Sequence, residues 1–196
     1  METVLGLCMG VALAAACGLR VFLPLLATAI AAKAGIVPLS HNFEWMASWP
    51  ALVGFSVASA LEAGGSLWPW LDHVLDVVAS PCAIVAGAVL ATAQMHDVHP
   101  ALAWTAGIVA GGGAAGMTQA ASVSTRSVST LTTGGVLNPL LNAGQTVLAG
   151  ILSILAVVVP VAAAALLLLA LTTAVVAWRL GRRKRPTECD VLPTPA

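Results

Sequence analysis

The stretch Ser122-Val-Ser-Thr-Arg126-Ser-Val-Ser-Thr130-Leu-Thr-Thr-Gly134-Gly135 places one arginine among hydroxyl side chains, between two long apolar segments. An ionisable residue inside a membrane segment is costly, so by default it indicates a functional site. A helix with hydroxyl groups on every face is poorly suited to contact lipid on all sides, so part of this helix should face protein or water. The stretch therefore predicts a helix packed within a bundle. The alternative interpretation is that small hydroxylic residues serve only as packing contacts between helices.

The composition around this stretch is that of an integral membrane protein. Of 196 residues, 59% are hydrophobic and 8% are charged, and the mean hydropathy is +0.97. Soluble domains carry roughly 25% charged residues. We therefore predict an all-α, polytopic transmembrane bundle without a separate soluble domain. The net charge of zero gives no bulk attraction to nucleic acid, and the start Met-Glu-Thr lacks the basic region of a cleaved signal peptide.

Apolar segments along the chain predict about five spans. They are Thr3–Ala32, broken at Gly18-Leu-Arg20 and at Pro24, then Trp49–Glu62, Pro81–Met95, Ala101–Thr133 and Gln145–Trp178. An amphipathic piece from Trp68 to Val78 is predicted to lie at the interface. The fourth segment is longer than a span needs and is rich in glycine, so a break or re-entrant turn is one expectation. The fifth would be about 50 Å long as a single helix, and we predict one helix that tilts or kinks at Pro160.

Basic residues set the predicted orientation. They are concentrated near the C-terminus, at Arg179, Arg182, Arg183, Lys184 and Arg185. By the positive-inside rule this end is cytoplasmic, and five spans then place the N-terminus outside and Lys33 inside. The sequence thus predicts one transmembrane domain over residues 1–178 and a basic, proline-containing cytoplasmic tail over residues 179–196, in a bacterial inner membrane.

Arg20 and Arg126 occupy related places in the two halves of the chain. Each follows a helix rich in small apolar residues, and each precedes a loop marked by Pro or Gly and then a long apolar helix. Because the first and fourth spans cross in opposite senses, a duplication of residues 1–95 and 100–178 would be an inverted repeat with broken helices, a common transporter architecture. The alternative is that small-residue helices resemble one another by composition alone.

The arginines define the candidate binding residues. A guanidinium requires an anionic or carbonyl partner, which a carboxylate of the chain, a lipid phosphate or a transported anion could supply. The predicted substrate-binding set is Arg126, Arg20, Ser122, Thr125, Ser129, Thr130, Thr133, Asn138 and Glu62. We predict no cofactor, and no metal site at His96, Asp97 and His99, because further ligands are lacking nearby. Nucleophile, phosphate-loop and zinc-protease motifs are absent from the sequence, which disfavours an enzyme.

Three pieces of the chain carry a family resemblance. They are Gly18-Leu-Arg20-Val-Phe-Leu-Pro24, Leu61-Glu62 with Trp70-Leu-Asp72-His-Val-Leu-Asp76, and Thr125-Arg126 through Thr132-Thr-Gly-Gly-Val-Leu-Asn138-Pro139. The chain resembles the bacterial membrane family called domain of unknown function 4126 up to its last helix. The resemblance implies a lysine shortly after the glutamate and acids after Asn-Pro, where this chain has Gly64-Gly65-Ser66 and Ala143-Gly144-Gln145. It implies architecture and no particular activity.

The leading functional hypothesis is a small permease or channel for a small solute or anionic head group, with membrane lipids and a second copy of the chain as further partners. The first alternative is a non-transporting membrane protein that assembles or stabilises a partner. The second is a lipid-modifying enzyme. A permease predicts water access to Arg20 and Arg126, an assembly protein predicts that protein groups seal both, and an enzyme predicts His73 or His96 beside acids at one face.

Overall fold

A computed structural model describes residues 2–65, 69–96, 98–134 and 136–160, with backbone alone at residues 2, 3 and 69–76. Every regular element in these residues is a helix, which confirms the predicted all-α bundle. The α-helices are α1 Glu2–Cys17, α2 Phe22–Lys33, α3 Trp49–Gly65, α4 Pro69–Ala93, α5 Pro100–Ala106, α6 Gly113–Thr133 and α7 Asn138–Val158. A 3-10 helix spans His41–Ala47, and a π-helical turn spans Gly107–Gly112.

The first apolar segment is interrupted at Gly18-Leu-Arg20 as predicted, whereas the break predicted at Pro24 is absent. α1 ends at Cys17 and α2 begins at Phe22. Gly18 fits at the break because a Cβ there would collide with Thr118 and with the backbone of Ala115 in α6. Pro24 lies in the first turn of α2, where backbone N–H groups have no intrahelical acceptor. The N–H that proline lacks therefore costs the helix no hydrogen bond.

The predicted boundary at Pro81 is absent. α4 runs unbroken from Pro69 to Ala93 with Pro81 inside it, so the predicted interfacial piece and third span form one helix. A proline removes one hydrogen bond of a helix, and a helix whose other bonds remain can continue through it.

The fourth segment is helical throughout, so the expected break or re-entrant turn is wrong. α5, the π-helical turn and α6 follow one another without a gap from Pro100 to Thr133. The glycines let the π-helical turn approach α4 closely. A Cβ on Gly111 would lie 2.5 Å from both the carbonyl oxygen of Gly87 and the Cβ of Ala91.

The predicted helix Gln145–Trp178 starts at an earlier residue and is interrupted beside the predicted kink at Pro160, and its part beyond residue 160 lies outside the described residues. α7 begins earlier, at Asn138 with Pro139 in its first turn, and ends at Val158. Val159 has φ −137° and ψ 75°, because the ring of the following proline disfavours helical geometry in the residue before it. In the described part of the chain, α7 is the helix that is long and apolar enough to cross a bilayer, whereas the apolar stretches Val4–Cys17, Phe22–Lys33 and Val77–Ala93 are shorter.

α1 lies at the centre of the bundle, and its second half is fully buried from Leu13 to Cys17. It packs against α4, α6 and α7, whereas α2 packs against α3 and α7. The break between α1 and α2 therefore lies where α3, α6 and α7 can all reach it. Several residues used in the predictions fall outside the described residues: Trp68 at the start of the interfacial piece, Asp97, Gly135 and everything from residue 161 to the basic tail.

Candidate functional site

Arg20 lies in the break between α1 and α2, and its guanidinium points into the bundle. Its side chain is 8% exposed. Nη1 donates to the backbone carbonyl of Glu62 at 3.0 Å, and Nη2 donates to the backbone carbonyl of Asn142 at 3.1 Å. One side chain thus ties α3 and α7 to the broken first segment.

Glu62 caps the start of α2 from a distance. The first N–H groups of a helix have no intrahelical acceptor, and the residue before α2 is Val21, which has no side-chain acceptor to offer. The Glu62 carboxylate accepts from the backbone N–H of Val21 at 2.7 Å and from that of Phe22 at 3.1 Å. A negative charge also complements the positive end of the helix dipole. The break is therefore held by a pair of opposite charges from two elements.

Arg126 reaches the same place from α6. Its side chain is 9% exposed. Nη1 donates to the side-chain Oδ1 of Asn142 at 3.5 Å, and Nη2 donates to Oγ of Ser122, one turn earlier on α6, at 3.3 Å. The two arginines, which lie more than a hundred positions apart in sequence, thus contact the same residue of α7.

Asn142 joins the two arginines, and the sequence interpretation missed it. It is 1% exposed, its backbone oxygen accepts from Arg20, and its side-chain oxygen accepts from Arg126. A signal was present: Asn138 and Asn142 are four residues apart in an otherwise apolar helix, which places both amides on one face.

The other predicted residues separate into two groups. Thr125, Thr130 and Thr133 donate their hydroxyls to carbonyls one turn earlier on their own helix, those of Ala121, Arg126 and Ser129, at 2.8 to 2.9 Å. Thr125 and Thr130 are also exposed. The structure therefore brings Arg20, Glu62, Arg126 and Ser122 together with Asn142 in one cluster. Ser129 and Asn138 lie one turn away from it, and Thr125 lies outside it.

Beside the cluster, a groove of about 370 Å³ opens between α6 and α7. Its walls are mostly apolar, and its polar members include Ser122, the residue that accepts from Arg126. The full lining is Leu19, Thr118, Ala121, Ser122, Thr125, Leu140, Leu141, Gly144, Gln145 and Leu148. The groove therefore leads from the outer surface to a direct neighbour of the buried guanidinium.

The remaining polar groups give no second centre among the described side chains. No group of three His, Cys, Asp or Glu residues that could hold a metal ion occurs there, although Asp97 lies outside that part of the chain. His41 and Glu44 form an exposed pair at 3.2 Å on the 3-10 helix. Asp72, His73 and Asp76 fall where the structure describes backbone alone.

Comparison with known proteins gives one match. The sequence model of the family described as "Domain of unknown function (DUF4126)" matches residues 7–180. No curated protein and no solved structure matches the chain. The matched range contains all five residues of the cluster.

Proposed function

This chain belongs to the DUF4126 family. From the geometry of the site, we propose that it is a small membrane permease for a small anion. Arg126 contacts the anion, with Ser122 beside it. Arg20 and Glu62 hold the break between α1 and α2, which gives the site its shape. The chain works in the bacterial inner membrane as the sequence predicts.

The surface of the bundle supports a membrane setting. Large apolar side chains are exposed along whole helices, for example Trp49, Val53, Val57 and Leu61, which recur every four residues on one face of α3. Soluble monomers rarely expose apolar patches of this extent, and such patches mark membrane or protein contacts. A second copy of the chain on the α3 face would account for part of this surface, and homodimerisation remains part of the proposal.

One observation carries the assignment of Arg126: its described hydrogen bonds are longer than those of Arg20. The described hydrogen bonds of Arg20 measure 3.0 and 3.1 Å, whereas those of Arg126 measure 3.5 and 3.3 Å. Hydrogen bonds weaken with distance beyond about 3.0 Å. Exchanging those of Arg126 for bonds to an anion is therefore favourable, because an anionic group adds charge attraction and can accept two parallel N–H bonds from the guanidinium.

The interrupted helix gives further support. Discontinuous helices whose N-termini point at an interior site are typical of transporters, where the positive end of the half-helix favours an anionic group. Here α2 begins inside the bundle, at the residues that Glu62 caps. The meeting of Arg20 and Arg126 at Asn142 is what a two-fold related pair of halves would produce, so we keep the inverted repeat within the proposal.

Flux of anions into proteoliposomes tests this function. The probes are chloride, acetate and inorganic phosphate, and the variants are Arg126→Gln and Arg126→Lys. We expect anion flux from the wild type, and a loss of at least about tenfold in Arg126→Gln, since a hydrogen bond to a charged group contributes roughly 1.5–3 kcal/mol. Arg126→Lys should lose less, because it keeps the charge without the planar fork.

Lys33→Gln is the matched control. It also removes one positive charge, from an exposed side chain that donates to the carbonyl of Ala47 and lies over Trp49. Its flux should equal that of the wild type. Absence of protein-dependent flux for every probe, or equal flux in Arg126→Gln, would contradict the permease.

A second candidate function rests on burial. Both guanidinium groups are less than one-tenth exposed, and their described hydrogen bonds end on protein oxygens. This is the arrangement expected of a non-transporting membrane protein that stabilises a partner. In that case Arg126→Gln lowers the melting temperature in detergent, and the wild type carries no anion.

A further inference from the structure

Two buried polar atoms next to Arg126 lack a hydrogen-bond partner anywhere in the described part of the chain. They are Oγ of Ser129 and Oδ1 of Asn138. Ser129 is only 8% exposed. Buried polar groups in folded proteins are nearly always satisfied, so each exception requires a physical explanation.

Each atom lies one helical turn from a member of the Arg126–Asn142 contact. Ser129 follows Arg126 by three residues, on the same buried face of α6 that carries Gln119 and Ser122. Asn138 precedes Asn142 by one turn on α7, and its Nδ2 donates at 3.0 Å to Oγ1 of Thr130, the neighbour of Ser129. The unsatisfied oxygens and the guanidinium thus belong to the same facing stretch of α6 and α7.

The chemistry of the three groups is complementary to one kind of ligand. A serine hydroxyl can donate to an anionic oxygen, whereas an asparagine Oδ1 can only accept and therefore needs an O–H or N–H from the ligand. The guanidinium binds the anionic group itself. A bare anion would satisfy Arg126 and Ser129 and leave Asn138 without a donor.

We infer that Arg126, Ser129 and Asn138 form a subsite for a hydroxylated anion, in which the anionic group binds Arg126 and Ser129 and a neighbouring hydroxyl donates to Asn138 Oδ1. This inference rests on the proposed function, because it names the class of anion that the same site takes. The hydroxylated anion can be a free organic phosphate or the head group of a lipid.

Two pairs of probes distinguish the effect of the hydroxyl from that of the charge, and a free organic phosphate from a lipid head group. Glycerol 3-phosphate and propyl phosphate share the phosphate and the carbon count, and only the first has hydroxyls. Phosphatidylglycerol and phosphatidylpropanol form the same contrast in lipid nanodiscs. Binding is measured as ligand-induced thermal stabilisation, titrated to a Kd. We expect the wild type to prefer the hydroxylated member of at least one pair by about tenfold, the effect of one good hydrogen bond.

Three variants locate the recognition. Ser129→Ala should weaken binding of the hydroxylated probe about tenfold while leaving the melting temperature without ligand unchanged or higher, because it removes a buried hydroxyl that has no protein partner. Asn138→Ala should abolish the preference within the pair. The matched control is Ser127→Ala on the same helix, whose exposed hydroxyl donates to the carbonyl of Val123 at 2.9 Å, and it should bind as the wild type does.

Failure of this inference differs from failure of the permease. If Arg126→Gln abolishes anion binding while Ser129→Ala and Asn138→Ala retain the wild-type preference, the permease stands and the hydroxyl subsite is wrong. If Ser129→Ala lowers the melting temperature without ligand, its hydroxyl is structural and the subsite is likewise wrong. If Arg126→Gln binds all four probes as the wild type does, both proposals are overturned.

Discussion

Asn142 shows how a neutral residue can organise charged ones. Its backbone and side-chain oxygens each accept from a different arginine, and its backbone oxygen also accepts from Thr146 at 2.8 Å. An amide oxygen offers two lone pairs without adding a charge to the interior. The residue can therefore keep Arg20 on its backbone while its side chain exchanges with a ligand at Arg126.

At Glu62 the expected change is in stability. Glu62→Gln replaces one carboxylate oxygen with an NH₂ group that cannot accept, so either Val21 or Phe22 loses its acceptor. We expect a loss of about 1–3 kcal/mol in the free energy of unfolding, the cost of one buried group left unsatisfied. Denaturation in detergent measures this. Glu44→Gln, at an exposed acid paired with His41, should change stability by less than about 0.5 kcal/mol. Equal effects of the two variants would show that the cap contributes nothing.

The sequence identified the charged members of the cluster and missed how they are satisfied. Arg20, Arg126 and Glu62 stand out because ionisable groups are rare in apolar segments, and that cost is visible without coordinates. Asn142 is neutral, and two of the contacts use backbone carbonyls that any residue possesses. The hydroxyls of α6 were expected to face a ligand, but Thr125, Thr130 and Thr133 bond their own helix, which is the ordinary behaviour of such residues at helix positions.

At the scale of elements, apolar length predicted the helices and local chemistry predicted the break at Gly18. The sequence failed where tertiary contacts decide. Pro81 remains inside α4, and the glycines of the fourth segment form a π-helical turn against that helix. A π-helical turn depends on what it packs against, so a glycine run alone does not distinguish it from a loop.

The crossing of α4 and the π-helical turn gives a second stability prediction. In Gly111→Ala the new methyl group would meet the backbone of Gly87, which cannot rotate away as a side chain can. We expect a loss of about 1–3 kcal/mol in the free energy of unfolding. Gly113→Ala is the control, because nothing lies within 4 Å of its Cβ position, and it should be neutral or stabilise by up to about 1 kcal/mol. Thermal melts that show the same shift for both would contradict this close crossing.

At the scale of the whole molecule, the proposed inverted repeat requires an odd number of spans before the fourth segment. With three spans there, the first and fourth segments cross in opposite senses. The structure describes the halves unequally, because the second half beyond residue 160 lies outside the described residues. The orientation therefore rests on the basic cluster of the tail.

Labelling with a membrane-impermeant thiol reagent tests this arrangement. Single cysteines are placed at Thr3 and Thr187 in a chain whose Cys8, Cys17, Cys82 and Cys189 are replaced by alanine. In intact cells Thr3→Cys should react and Thr187→Cys should react only after lysis, because positive charge retains the tail inside. Lys33→Cys, predicted to lie inside, provides the internal control. Reaction of both ends from the same side would mean an even number of spans and would contradict the predicted five-span topology.

The two acceptors of Arg20 also imply an order of assembly during synthesis. Glu62 lies 42 residues after Arg20 and Asn142 lies 122 residues after it. At about 5–20 residues per second, the ribosome completes Glu62 roughly 2–8 s after Arg20 and Asn142 roughly 6–24 s after it. Arg20 is therefore synthesised long before both of these acceptors are present, and Glu62 is the first of the two to be made. Arg126 is synthesised only shortly before Asn142, the residue that both arginines contact. During biogenesis, α1, α2 and α3 can therefore associate early, whereas α7 can join them only late in synthesis.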